Sequence, residues 1–265
     1  MRHDAVGFKL LSADEQPAFV AERRQGKSTF VIAVDHASAR IPRRLGGLGL
    51  PPSELQRHVA WDIGALAVAR RISEDLDASL VAQNYSRLVI DCNRDPSDVT
   101  SIPRMAEWFE VPGNIGLSDE EIAARHAEIF YPYHAYLRAL LNERLATKRP
   151  PILIAMHTMT DNFKGVRREM HAAVLYGRDR RFAGLMLDML RRDGELLIAD
   201  NEPYVVDVTH YTIPCHAEAR GLPHVSIEIR QDLVTDNAGQ AMWAQRISQA
   251  LRDAERGFSQ ASQAL

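Results

Sequence analysis

PILIAMHTMTD, residues 151–161, runs from Ile152 to Met156 without a polar side chain and then meets His157. Such a run leaves no face for water, the pattern of a central strand buried on both sides. VIAVDHASARIP, residues 31–42, repeats it: apolar residues run into Asp35 and His36, and the stretch breaks at Pro42. Strands of this kind belong to parallel or mixed sheets whose faces are covered by helices.

The rest of the chain fits that architecture. Short apolar strands are expected near 29–35, 79–83, 86–91, 151–157, 171–176 and 223–230. Helices are expected at 63–76, where Ile63, Leu66, Ala67, Ile72 and Leu76 fall roughly on one face, and at 119–146, 179–193 and 238–256. Ser118 and Glu121 form an S-x-x-E capping box before the second of these, and Pro132 should kink or interrupt it. The polar tail ERGFSQASQAL is expected to fray. No repeat is visible, so the expectation is one α/β domain over residues 1–265 with its core at about 28–256.

Composition narrows the function classes. A hydrophobic content of 46% with 25% charged residues describes a soluble globular protein. A formal charge of -3 lacks the basic signature that phosphate-backbone binding leaves, so nucleic acid is a poor partner. Cys92 and Cys215 are too few for a disulfide scaffold and lack paired zinc-ribbon spacing, which fits a reducing cytoplasm. The N-terminal stretch shows no signal-peptide core, and no window reaches the ~18–20 apolar residues of a membrane span. The expected location is the cytoplasm, with no membrane partner.

Chemistry gathers at the ends of the apolar runs. In open α/β sheets ligands bind at the carboxyl ends of central strands, so His36 and His157 could converge on one site as metal ligands. Each could equally be a strand-end histidine bonded to nearby backbone. HVAWDIGA, residues 58–65, adds Asp62, either a ligand or the N-cap of the helix that follows, with His58 as a competing ligand. The chain holds no H-E-x-x-H and no H-x-x-E, so a metal site must be assembled from distant segments.

In LPHVSIEIRQDL, residues 222–233, Val225, Ile227 and Ile229 alternate with His224, Ser226, Glu228 and Arg230. That pattern suits an edge strand with one wet face, or else holds Glu228 in a polar cleft where it could take a proton from water. SRLVIDCNRDP, residues 86–96, places Asn93 and Arg94 after an apolar run, where an arginine fork and an amide suit a carboxylate. Pairing of Arg94 with Asp91 or Asp95 at the surface is the plainer alternative. GVRREMH, residues 165–171, supplies a further cationic loop through Arg167 and Arg168. There is no G-x-S-x-G elbow, and Gly46, Gly47 and Gly49 lack dinucleotide-binding spacing.

HASARIP, HVAWDIGA, SRLVIDCNRDP, MHTMTD, GVRREMH, the NEPY of residues 201–204 and IEIRQDL follow one another from about residue 30 to 234. In this ordered set the chain resembles the N-formylglutamate amidohydrolase family. That family resembles zinc carboxypeptidase-like and aminoacylase-like enzymes in fold, which implies a mixed sheet flanked by helices, zinc-exopeptidase-like, with a metal at its strand ends. By position, the resemblance implies zinc held by His36, Asp62 and His157, Glu228 as general base and acid, and Asn93 with Arg94 on a substrate carboxylate. Arg168 matches an arginine that could hold a second carboxylate, although Glu169 and Met170 stand where the family commonly shows proline and an aromatic. The implied activity is removal of the formyl group from N-formyl-L-glutamate or a similar N-acyl amino acid. The alternatives are a deacylase or carboxypeptidase on another N-acyl amino acid or peptide, and a non-catalytic binder of amino acids or dicarboxylates. Two imidazoles and a carboxylate would also accept divalent ions other than zinc.

Overall fold

The apolar run at 151–161 folds into the middle of a seven-stranded sheet in the computed structural model, which describes residues 8–147, 150–192, 194–207 and 209–263. Residues 1–7 of the N-terminal stretch, and the last two of the tail, lie outside the described residues. Along the chain the strands are β1 (Phe19–Glu22), β2 (Phe30–Val34), β3 (Ser79–Gln83), the hairpin β4 (Met105–Ala106) and β5 (Phe109–Glu110), then β6 (Ile152–Met159). The hairpin β7 (Asn162–Phe163) and β8 (Val166–Arg167) follows, then β9 (Ala172–Leu175), β10 (Ile198–Asp200) and β11 (His224–Arg230). The main sheet has the order β1-β3-β2-β6-β11-β9-β10. Its centre, β3-β2-β6-β11, is parallel, whereas β1 and β9 run antiparallel to their inner neighbours.

Alternation along the strands builds two cores, one on each face. Ile32, Val34, Ile154, Met156, Ile227 and Ile229 pack beneath α1 (Ala65–Leu76) and two later helices, over Arg181–Arg191 and Asn237–Gln263. Val31, Ala33, Leu153 and Ala155 point the other way. They meet Tyr133, Leu137 and Leu141 of the helix over Tyr131–Leu145 and the buried loop through Leu88, Val89 and Ile90. This second face is the one that His157 and Glu228 share, because residues two apart on a strand point the same way.

The long helix expected at 119–146 is divided. α2 (Asp119–Arg125) opens with the capping box, Glu121 N–H donating to Ser118 Oγ at 3.3 Å and Ser118 N–H donating to Glu121 Oε2 at 2.9 Å. A π turn over 126–130 then leads, with helical backbone on both sides, into α3 (Tyr131–Leu145), and Pro132, which has no N–H to donate, follows directly on that widened turn. α4 (Arg181–Arg191), α5 (Thr212–His216) and α6 (Asn237–Gln263) complete the set. The tail therefore stays helical to Gln263; Phe258 stacks edge-on against Phe182 of α4, ring centroids 5.8 Å apart.

Three other expectations change. Residues 86–91 are not a strand: Ser86 Oγ accepts from Leu88 N–H and donates to Ala60 O, which coils this apolar run into turns. Hydrophobicity alone does not separate a buried turn from a buried strand. β6 continues two residues past His157, since Thr158 and Met159 remain paired with Ile229 and Arg230. β11 is central, flanked by β6 and β9, so its polar face looks into the protein rather than to solvent. β1 and β10 of the main sheet lie outside the strands expected from the sequence, as do the short hairpins β4–β5 and β7–β8.

Gly64 joins the Asp62 loop to α1 at φ +83°. A Cβ there would stand 2.5 Å from Val234 O and 2.7 Å from its Cγ2. Gly64→Ala is expected to destabilise the fold by at least about 1–2 kcal/mol through the left-handed backbone alone. The check is a denaturant midpoint; an unchanged value would mean that the loop relaxes freely around the added methyl.

Candidate metal and catalytic site

Three loops and two strands meet at the carboxyl end of the parallel strands. His36 lies just beyond β2, Asp62 just before α1, and the backbone N–H of Asp62 donates to His36 O at 2.9 Å, so these two segments are sewn together. His157 comes from β6. Asp62 Oδ2 stands 3.3 Å from His36 Nδ1 and 2.8 Å from His157 Nδ1. The three residues are each only 3% exposed, and their ligand atoms all lie within 4.8 Å of one another. The helix-cap role open to Asp62 in the sequence is not taken up: Gly64 is the N-cap and no side chain caps α1.

A carboxylate stands behind each imidazole. His36 Nε2 is 2.7 Å from Asp91 Oδ1, and His157 Nε2 faces Asp35 Oδ2 at 3.5 Å. Asp35 is itself fixed by the hydroxyls of Tyr133 and Thr212, which donate to Oδ1 at 2.7 and 2.8 Å. Asp91 accepts from Arg87 Nη2 at 2.6 Å and from the backbone N–H of Asn93 at 2.9 Å. Arg87 Nη1 lies 3.7 Å from Asp62 Oδ1. Carboxylates behind ligating histidines fix ring orientation and raise ligand basicity.

The electrostatics favour a cation. Burial pushes the Asp62 carboxyl up, but the His36 and His157 imidazoles outweigh it and hold the group below its ordinary value. Asp91 is likewise held well down by Arg87 and His36 against its burial. Burial disfavours a charged His157, yet Asp35 and Asp62 raise it well above the usual histidine value. With neutral imidazoles, Asp35, Asp62 and Asp91 are opposed among the described residues by one guanidinium in contact, that of Arg87, and the cluster is short of positive charge. A divalent ion between the two Nδ1 atoms and Asp62 would supply it, so the donor set fits a metal.

Glu228 stands beside this cluster by sheet register, directly across from His157 on the neighbouring strand. Its carboxyl is pushed up to about 7, chiefly by burial and further by the Asp62 charge, against the pull of His157 and His36. The three candidate ligands, Glu228, Asn93 and Arg94 line one cavity of about 130 Å³ together with His58, Arg87, Tyr204 and His210. Asn93 Oδ1 is occupied by the backbone N–H groups of Tyr211 and Thr212 at 3.3 and 3.1 Å, which turns its amide nitrogen into the available donor. Arg94 donates to Thr209 Oγ1, and Asp91 is committed to Arg87 and His36, so no Arg94–Asp91 surface pair forms.

Arg168 does not line the cavity. Its guanidinium lies 4.9 Å from the Tyr204 ring and 5.3 Å from that of Phe163, and Nη2 donates to Tyr204 Oη at 2.6 Å. The cavity therefore meets Tyr204, with Arg168 behind it. Arg87, Asp91, Asp35 and Tyr204 received no role from the sequence. Asp35 and Asp91 did carry a signal, since each sits at the end of the apolar run that delivers a site residue.

An amide hydrolase is the class that this fold and site fit: a carboxylate adjoins three residues that could hold a metal ion, and neither Ser nor Cys lines the cavity among the described residues. Residues 28–235 match the N-formylglutamate amidohydrolase family, and the chain belongs to that family. A crystal structure of a gene product from Agrobacterium tumefaciens is similar at 35% identity and a TM-score of 0.91, covering 95% of this chain and 100% of the other. The structure of N-formylglutamate amidohydrolase from Ralstonia eutropha shares the fold at 19% identity and a TM-score of 0.68, over 91% of this chain and 98% of the other. Comparison with curated proteins finds no match. No helix among the described residues is long and apolar enough to cross a membrane.

Proposed function

We propose that this protein hydrolyses the formyl amide of N-formyl-L-glutamate, or of a closely similar N-acyl amino acid, with zinc held by His36, Asp62 and His157. The observation that supports this most is the convergence of those three side chains with Glu228 in a cavity that also holds Asn93, Arg87 and Arg94. When bound, such an ion supplies Lewis-acid polarisation of the amide carbonyl and lowers the pKa of water. Glu228 takes the proton of the attacking water and delivers it to the amide nitrogen as the C–N bond breaks, leaving formate and the free amino acid. Arg87, held by Asp91, offers its remaining N–H groups to negative charge that develops on the carbonyl oxygen.

Recognition follows from donor direction. Arg94 and the Asn93 amide nitrogen hold the α-carboxylate of the substrate. Tyr204 accepts a hydrogen bond from Arg168, so its own O–H proton is left for a second carboxylate. In this arrangement Arg168 acts on the side-chain carboxylate through Tyr204.

The test is formate release from N-formyl-L-glutamate by purified, zinc-reconstituted protein, beside a chelated sample. Release is expected with zinc and not after chelation. Turnover of other N-acyl amino acids without this one would transfer the reading to a different deacylase, and turnover that survives chelation would remove the metal.

A further inference from the structure

His58 lines the same cavity as Arg87 and Glu228, and its ring is held from outside it. Nε2 lies 3.1 Å from Glu107 Oε1, and the Glu107 side chain is only 5% exposed. The other carboxylate oxygen takes Arg57 Nη2, and the Arg57 guanidinium lies 5.6 Å from the Trp108 ring. Glu107 occupies the tight turn between β4 and β5 at φ +54°, a backbone conformation for which glycine is the favoured residue. A glutamate at that position reaches back to fix one face of the catalytic cavity.

The tautomer follows from the partner. An ionised carboxylate only accepts, so Nε2 carries the proton and Nδ1 presents a lone pair. Burial disfavours a second proton on the ring, Glu107 opposes that effect and Arg57 adds to it, and the net result holds His58 below its ordinary pKa. Nδ1 has no hydrogen-bond partner among the described residues. The groups proposed above to hold the substrate are donors: Arg87, Arg94, the Asn93 amide nitrogen and the Tyr204 hydroxyl. A secondary amide brings one donor of its own, its N–H. Glu228 is occupied with the water proton and Asp62 with the imidazoles, whereas His58 Nδ1 stands, among the described residues, as an acceptor without a partner on the wall that also carries Arg87.

We propose that His58, fixed by Glu107, accepts a hydrogen bond from the N–H of the scissile amide and so makes the enzyme selective for secondary over N-alkylated amides. This rests on the N-acyl amino acid hydrolysis proposed above.

The experiment compares N-formyl-L-glutamate with N-formyl-N-methyl-L-glutamate on zinc-loaded wild type, His58→Ala, His58→Asn and Glu107→Gly. Wild type is expected to prefer the N–H substrate by about tenfold or more in kcat/KM, since the methylated amide leaves a buried acceptor unmet. His58→Ala is expected to lose about tenfold on the N–H substrate and to treat both substrates alike within about twofold. His58→Asn puts an amide oxygen near the position of Nδ1 and restores part of the preference. Glu107→Gly suits the turn, so its unfolding midpoint is expected to hold or rise while the preference weakens. That separation would not arise if the pair were merely structural. An equal N-methyl penalty in wild type and His58→Ala, or no penalty in wild type, overturns the assignment. Absence of turnover of any N-acyl amino acid by wild type removes the hydrolytic reading itself, and this inference with it.

Discussion

Glu228→Gln is expected to lower kcat by about 10²–10⁴-fold while the protein keeps its full complement of metal. Glutamine keeps the size of the side chain and its place across from His157, and it removes only the ability to accept and pass on a proton. The group of candidate ligands is complete without Glu228. Its carboxyl is buried beside Asp62, which disfavours the charged form and makes the neutral amide easy to accommodate. Single-turnover kinetics and metal analysis on the same sample provide the check. Loss of the metal along with activity would place Glu228 in the coordination shell, and undiminished turnover would end its role as base.

Asp62→Asn is expected to weaken zinc binding by more than about 100-fold, beyond the 10–100-fold that changes behind the ligands typically cost. Asparagine is the discriminating choice because it keeps the size and shape of aspartate and removes its charge. Were Asp62 not a ligand, the variant would fold and bind zinc as the parent does. As a ligand it must supply the single carboxylate that faces both Nδ1 atoms, and the neutral amide leaves that charge unprovided. Metal content after equilibration against a zinc buffer separates the two, with the unfolding midpoint of the metal-free protein as a control for the fold.

His36 and His157 were legible because a buried strand announces itself as an apolar run, and a polar residue closing such a run is out of place unless something there needs it. Glu228 was half legible: strict alternation showed which residues shared its face, but not whether water or protein lay against that face. Strand order decides that, and strand order is set by contacts between segments far apart in sequence. Asp62 was ambiguous for a related reason, since a carboxylate just ahead of a helix looks the same whether it turns to the backbone or across to β6. Asp91 was marked by its place at the end of an apolar run, but its partner Arg87 stayed hidden inside SRLVIDCNRDP, where two arginines flank that aspartate. Only the coiling of residues 86–91 into turns brings Arg87, rather than Arg94, onto Asp91. Glu107 had no signal of any kind, because its partner His58 is 49 residues away and the turn that presents it breaks the usual sequence preference.

The pairing of His157 with Glu228 is a rung of the β6–β11 ladder, so the spacing between the proposed metal donor and the proposed proton carrier is quantised by the sheet. A one-residue insertion or deletion within either strand would throw one of the two to the opposite core, whereas the β4–β5 turn and the segment bearing Tyr204 can change length without touching that rung. Under the proposed function, exchange of those outer segments between relatives would reshape the wall of the cavity at Tyr204 and His58 while leaving that rung in place.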